Sequence, residues 1–197
     1  MKTDRRTSGI PALDELLGGG LETRTITQIY GEPASGKSTM CMIAAVSCLR
    51  SGAPVVYIDS EGFSIERFRQ IAGADTERIA DHLFLFEPLD FEHQGTMIAE
   101  AEKVLKTHKP GLLVMDSATA LYRTELEKGR DALQALTKQM IHLLGYCKRY
   151  EIPVIITNQV YMDTTKNTFY GLGGVALEHL SKAIVRLEKA ETPGLRR

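Results

Sequence analysis

Short apolar runs and longer stretches of helical periodicity take turns along this chain. The runs Thr25–Tyr30, Val55–Asp59, Leu83–Phe86, Leu112–Asp116 and Val154–Thr157, with a late one at Ala183–Leu187, read as β-strands. The second to fifth are almost continuously apolar, as strands covered on both faces should be. Between them Met97, Ile98, Ala101, Val104 and Leu105 recur at helical spacing, as do Leu133, Leu136, Met140, Leu143, Leu144 and Cys147. The stretch Lys37–Arg50 is apolar nearly all round, which predicts a helix buried beside the sheet. Strands that alternate with helices call for parallel pairing and helical crossovers. The fold class expected is α/β, a mostly parallel twisted sheet with helices on both faces. Ligands bind such sheets at the carboxyl ends of the strands, so the chemistry should stand just after the apolar runs.

Composition narrows this only a little. The 197 residues suit one domain over 1–197, with no linker, repeat or low-complexity tract dividing them. Lys and Arg number 24 against 25 Asp and Glu, a net charge of -1 that excludes a generally basic surface but not a local basic loop. No run approaches ~18 apolar residues, so no membrane span is expected. The start MKTDRRTSG has no apolar stretch behind its charges; no secretory signal and a cytoplasmic location are expected. Cys41, Cys48 and Cys147 predict reduced core thiols, and no Cys/His cluster has zinc spacing.

The first strand runs into Gly31-Glu32-Pro33-Ala34-Ser35-Gly36-Lys37-Ser38-Thr39, the phosphate-loop (Walker A) pattern G-x-x-x-x-G-K-[ST]. Glycines let the backbone curl so that successive N–H groups face a phosphate, and the helix that follows adds its positive end. Lys37 would reach the β- and γ-phosphates, the Ser38 hydroxyl would sit on Mg²⁺, and Thr39 would bond the α-phosphate. The pattern lies between a predicted strand and a predicted buried helix. It is therefore read as a nucleotide site.

Leu112-Leu113-Val114-Met115-Asp116 ends an apolar strand in an acid, which places Asp116 at the metal through a water. Glu61 follows the strand Val55–Asp59; its spacing fits a water-polarising acid and a helix-capping acid equally well. Gln159, after Val154–Thr157, fits a γ-phosphate sensor or ordinary strand termination.

Further blocks extend the pattern. They are Thr7-Ser8-Gly9-Ile10-Pro11-Ala12-Leu13-Asp14-Glu15-Leu16-Leu17-Gly18-Gly19-Gly20-Leu21, Tyr57-Ile58-Asp59-Ser60-Glu61-Gly62 and Asp116-Ser117-Ala118-Thr119-Ala120-Leu121-Tyr122-Arg123. Ile156-Thr157-Asn158-Gln159-Val160, Gly173-Gly174 and Ala183–Lys189 complete the order. Together they resemble the RecA/RadA recombinase family, nearest its short archaeal paralogues, over almost the whole chain. The resemblance implies a RecA-like P-loop NTPase core. It makes Glu61 the catalytic glutamate, Asp116 the metal-site acid, Gln159 the γ-phosphate sensor and His179 a nucleotide-sensing residue at a protomer interface. It also puts two DNA-binding loops after Asp116 and Gln159. The first is Arg123–Asp131, where Arg123, Lys128 and Arg130 meet Glu125, Glu127 and Asp131. The second, Val160–Leu172, offers Lys166 with Tyr161, Phe169 and Tyr170 for stacking on single-stranded bases.

Three departures from the family shape the functional expectation. The chain enters the core without the small helical domain and its Phe-x-x-Ala filament tether. Its second DNA loop is short, and the sequence stops at Arg197 where relatives continue with further strands. A charge donated from a neighbouring subunit is worth about 10³–10⁵ in phosphoryl transfer. Without assembly the expectation is therefore nucleotide binding with weak hydrolysis, in a DNA-binding accessory of recombination and repair that does not exchange strands itself. The family implies a RadA-type recombinase and a Holliday-junction resolvase as partners, with a homodimer left open. The competing readings are a competent DNA-dependent strand-exchange recombinase and a RecA-like ATPase acting on proteins alone. A small-molecule kinase would carry an arginine-rich lid where Ala118–Tyr150 instead reads as mostly one amphipathic helix.

Overall fold

The structure is a computed structural model that describes residues 4–163, 165, 168–192 and 195–197. A two-residue antiparallel ribbon, β1 (Arg5–Arg6) and β2 (Leu21–Glu22), brackets α1 (Pro11–Leu16). The core follows as β3 (Ile26–Gly31), α2 (Lys37–Arg50), β4 (Val55–Asp59), α3 (Ile65–Ala72), α4 (Thr76–Ala80), β5 (Leu83–Phe86), α5 (Phe91–His108) and β6 (Leu112–Asp116). After a 3₁₀ turn at Tyr122–Lys128 come α6 (Arg130–Tyr150), β7 (Val154–Asn158), the hairpin β8 (Val160–Asp163) and β9 (Thr168–Gly171), α7 (Gly174–Leu180) and β10 (Ala183–Leu187).

The main sheet has six strands in the order β10-β3-β7-β6-β4-β5, all parallel, as the alternation of strands and helices requires. Because strand side chains alternate faces, even a wholly apolar strand serves two cores. Val56, Ile58, Leu113, Met115, Val154 and Ile156 pack towards α5 and α6 with Ile98, Leu136 and Leu143. Val55, Tyr57, Leu112, Val114 and Ile155 pack on the other face against α2 and α3 with Cys41, Ala45, Leu49 and Phe68. Helices on both faces explain why β4, β6 and β7 are buried throughout.

The three cysteines are free and buried as expected, and burial raises the thiol pKa of each, to about 11 for Cys48 and Cys147. The amphipathic segment predicted across Ala118–Tyr150 is helical from Arg130, preceded by the 3₁₀ turn. The stretch predicted as an open second loop is instead the β8–β9 hairpin. Lys166 lies outside the described residues.

Candidate nucleotide-binding site

The phosphate loop runs from the end of β3 into α2. Gly31 is required there by close approach: a Cβ at this position would lie 2.2 Å from the Leu187 carbonyl oxygen of β10. Gly36 begins the helix at φ 106°, a left-handed conformation that suits a residue without a side chain. Lys37 Nζ donates to the carbonyl oxygens of Gly31 and Glu32 at 3.0 and 3.1 Å, so the loop folds around its own lysine. Burial lowers the Lys37 pKa, and the nearby Glu61 and Asp116 carboxylates oppose that shift.

A cavity of about 370 Å³ opens over the loop and is lined by Lys37, Ser38, Thr39, Glu61, Gln159 and Arg123 among others. The strand ends thus bring together Glu61 and Gln159, 98 residues apart in sequence, with Gln159 Nε2 donating to Glu61 Oε1 at 2.8 Å. The capping alternative for Glu61 is excluded, because the Ser64 hydroxyl caps α3 by accepting from the Arg67 N–H. Asp59 Oδ1 in turn accepts from the backbone N–H groups of Glu61 and Gly62 at 2.9 and 2.6 Å, which fixes the Glu61 turn.

Asp116 stands behind the cavity rather than in its wall, 2% exposed. Its two oxygens accept from the Tyr57 hydroxyl at 3.0 Å and the Thr157 hydroxyl at 2.6 Å. Parallel pairing of β4 and β6 sets Asp59 in register with Asp116. Burial first, then the Asp116 charge, raises the Asp59 pKa to about 6, against the lowering effect of its backbone bonds.

From Gln159 a chain of bonds leads to the hairpin. The Gln159 N–H donates to Thr119 Oγ1 at 2.9 Å, and the Thr119 hydroxyl donates to Asn158 Oδ1 at 2.8 Å. Asn158 Nδ2 donates to the Leu172 carbonyl at 2.9 Å, and the Leu172 N–H returns to the Gln159 carbonyl at 2.8 Å. Both feet of the hairpin are therefore tied to the residue that touches Glu61.

The expected DNA residues separate. Tyr161 and Tyr170 are cross-strand partners on one face of the hairpin, with ring centroids 5.9 Å apart and Tyr161 51% exposed. Phe169 takes the opposite face and lines a small crevice with Tyr30 and Arg186. Lys128 is ion-paired with Glu125. Arg130 opens α6, and Arg123 lines the cavity over the phosphate loop. His179 is exposed on α7 and is not among the residues lining that cavity.

Further arginines at the site, Arg67 and Arg196 among them, carry no motif in the sequence. A more apolar cavity of about 520 Å³ adjoins the first and is lined by Ile10, Leu13, Leu16, Met40, Ile43 and Arg67. The two cavities share Gly36, Thr39 and Arg196. Periodicity shows Arg67 only as a polar position of an amphipathic helix, and Arg196 reaches the loop from 161 residues beyond Ser35.

The residues present fit a nucleoside triphosphate and its divalent cation. Three buried side-chain atoms lack a partner among the described residues, and two of them, Ser35 Oγ and Gln159 Oε1, are at this site. Buried polar atoms are rarely left unpaired, so a cradle with two of them is built for a polar ligand. No group of three or more His, Cys, Asp or Glu able to hold a metal occurs among the described residues, so a cation here would depend on phosphate oxygens, Ser38 and Asp116.

A family model described as Rad51 matches residues 3–194. The chain belongs to the Rad51 family. This Rad51-family chain is 66% identical over 194 residues to the "DNA repair and recombination protein RadB" of Methanoculleus marisnigri, covering 98% of the chain and 87% of that relative. It is 43% identical to the protein of that name from Methanococcoides burtonii, over 98% of the chain and 87% of the relative. The Archaeoglobus fulgidus protein of that name is 44% identical over 93% of the chain and 83% of the relative. The fold expected from the resemblance is the one observed. No helix among the described residues is long and apolar enough to cross a membrane.

Proposed function

We propose that the chain is an ATP-binding, DNA-binding accessory protein of DNA repair and homologous recombination in the cytoplasm, with weak ATP hydrolysis and no strand exchange of its own. The names of its relatives support the process. The observation that carries the nucleotide reading is the cradle itself, with Ser35 Oγ and Gln159 Oε1 buried and unpartnered among the described residues and Lys37 bonded to its own loop.

On binding, Lys37 exchanges the Gly31 and Glu32 carbonyls for phosphate oxygens, and the Gly36 turn and α2 N-terminus face the phosphate chain. Mg²⁺, held by Ser38 and through water by Asp116, would neutralise phosphate charge. The adjoining apolar cavity suits the base. Glu61 is the group that orients an attacking water, but its Oε1 accepts from Gln159. The other carboxylate oxygen stays open to a water, and slow turnover is the outcome where no neighbouring subunit donates a charge to the phosphates. When Gln159 moves towards a γ-phosphate, the Thr119–Asn158–Leu172 bonds carry the change to the hairpin whose Tyr161 and Tyr170 would stack on single-stranded bases. ATP then acts as a conformational ligand for DNA, and for a RadA-type recombinase or a junction resolvase as protein partners.

ATP binding and turnover, measured with and without single-stranded DNA on wild type and Lys37→Ala, test this. Binding lost in Lys37→Ala, with turnover slow and little stimulated by DNA, is the expected result. Brisk DNA-dependent hydrolysis would favour a strand-exchange recombinase. DNA binding that is absent, or that does not weaken with salt, would favour an ATPase acting on proteins alone.

A further inference from the structure

The last described residues return on β10. The N–H of Arg197 bonds the Glu188 carbonyl at 3.0 Å, the Glu188 N–H bonds the Arg197 carbonyl at 2.7 Å, and Lys189 bridges antiparallel to Arg196. This return puts the Arg196 guanidinium on the phosphate loop, where Nε donates to the Ser35 carbonyl at 2.6 Å and one terminal nitrogen donates to the Leu195 carbonyl at 2.8 Å. A guanidinium has five N–H donors in a fixed fork, so these bonds leave others for a ligand. A trans peptide points its C=O and N–H in opposite directions. Holding the Ser35 carbonyl therefore aims the Gly36 N–H away from Arg196 at the start of α2. The position is also specific along the nucleotide: with Gly36 and Thr39, Arg196 is one of three residues shared by the phosphate cavity and the apolar cavity. The groups that span that junction in a nucleotide are the ribose and the α-phosphate, and of the two only the phosphate carries a charge for a guanidinium to pair with.

We infer that Arg196 is a nucleotide-binding residue of this chain, a cation supplied in cis by the β10 return that pairs with the α-phosphate while it fixes the Ser35–Gly36 peptide. The inference rests on the ATP-binding reading above. It differs from Lys37 in what it recognises: Lys37 serves the outer phosphates, Arg196 the phosphate that every nucleotide shares.

The test is equilibrium binding of AMP, ADP and ATP to wild type, Arg196→Ala, Arg196→Lys, Lys37→Ala and the charge-matched control Arg24→Ala, whose residue pairs with Glu151 away from the site. A charge-assisted bond that is partly exposed supports a loss of about tenfold. Arg196→Ala should lose about that factor for all three nucleotides alike. Lys37→Ala should lose far more for ATP and ADP than for AMP. Arg196→Lys should recover only part, because a lysine keeps the charge but not the fork. Amide exchange gives a second readout: ADP should protect the Glu188 and Arg197 N–H groups in wild type and not in Arg196→Ala. Wild type that binds no nucleotide overturns the ATP reading itself. Wild type that binds, with Arg196→Ala within twofold of it for all three nucleotides, overturns this inference alone. A loss confined to ATP would place the cation at the outer phosphates and overturn the α-phosphate assignment.

Discussion

Thr157→Val removes one hydroxyl from the bond that steadies Asp116, and the structure sets the size of the effect. Thr157 is fully buried, its Oγ1 is 2.6 Å from Asp116 Oδ1, and Asp116 is 2% exposed, so water cannot replace the lost donor. A hydrogen bond to a charged group contributes about 1.5–3 kcal/mol. Valine puts a methyl in place of the hydroxyl, worth up to ~0.8 kcal/mol when it is packed against apolar atoms. Facing a carboxylate, it recovers only part of that. The net loss is about 1–2 kcal/mol, which for a domain of this size lowers Tm by roughly 2–8 °C. The assay is thermal and urea unfolding without nucleotide and with chelator, the urea slope being expected to stay constant because the surface exposed on unfolding is unchanged. Repeating the substitution in an Asp116→Ala background isolates the pair. There the shift should vanish or reverse, because the Thr157 hydroxyl has lost its acceptor, and an equal shift in both backgrounds would refute the reasoning. In the ATP-binding reading the same variant should need more Mg²⁺ to bind nucleotide, because the freed carboxylate samples more orientations.

Three further outcomes follow from particular contacts. Asp59, raised to about 6 from the ordinary 3.8, binds protons in the folded protein that the unfolded chain has released, so its stabilising effect is complete below about pH 4 and gone above about pH 6. Asp59→Asn should flatten the difference in stability across that window by about 3 kcal/mol, leaving the variant the more stable of the two at pH 7.5; parallel pH profiles would count against it. Gly31→Ala should cost several kcal/mol and detach β10, since its Cβ meets backbone that cannot swing aside, and ordinary urea stability would contradict this. Tyr161→Ala should weaken single-stranded DNA binding about 5–100-fold, as loss of one stacked base predicts, without changing ATP affinity; a fluorescence anisotropy titration decides it.

How much of this was legible in the sequence depends on how far each feature reaches along the chain. The six sheet strands are read to within a residue at either end, because each is a local apolar run, and the phosphate loop is contiguous. Val160–Leu172 is a loop only by the family resemblance, since its mixed polar and aromatic residues carry no strand pattern of their own. Its pairing comes from the Asn158–Leu172 bond at its feet and the Tyr161–Tyr170 stack across it, neither of which has a local pattern. The β1–β2 ribbon is invisible for a related reason. Its two-residue strands are held by Arg5, which donates to the Leu17 and Gly20 carbonyls and pairs with Glu22.

Glu61 shows the same limit inside the site. Its spacing left capping and catalysis balanced, and only the placement of Ser64 as the cap and of Gln159 beside it separates them. The family resemblance makes Arg123 a DNA contact, yet its side chain lines the cavity over the phosphate loop. A parallel sheet delivers every strand's carboxyl end to one edge, so residues there share the cavity whatever their separation in sequence. That geometry brings Asp116 and Gln159 into view as strand-end residues, although for Gln159 the local run leaves sensing and plain strand termination equal. It gives no such signal for Arg196, which reaches the loop by an antiparallel return rather than at a strand's end. Only the pairing of Glu188 with Arg197, made in three dimensions, puts that guanidinium on the phosphate loop.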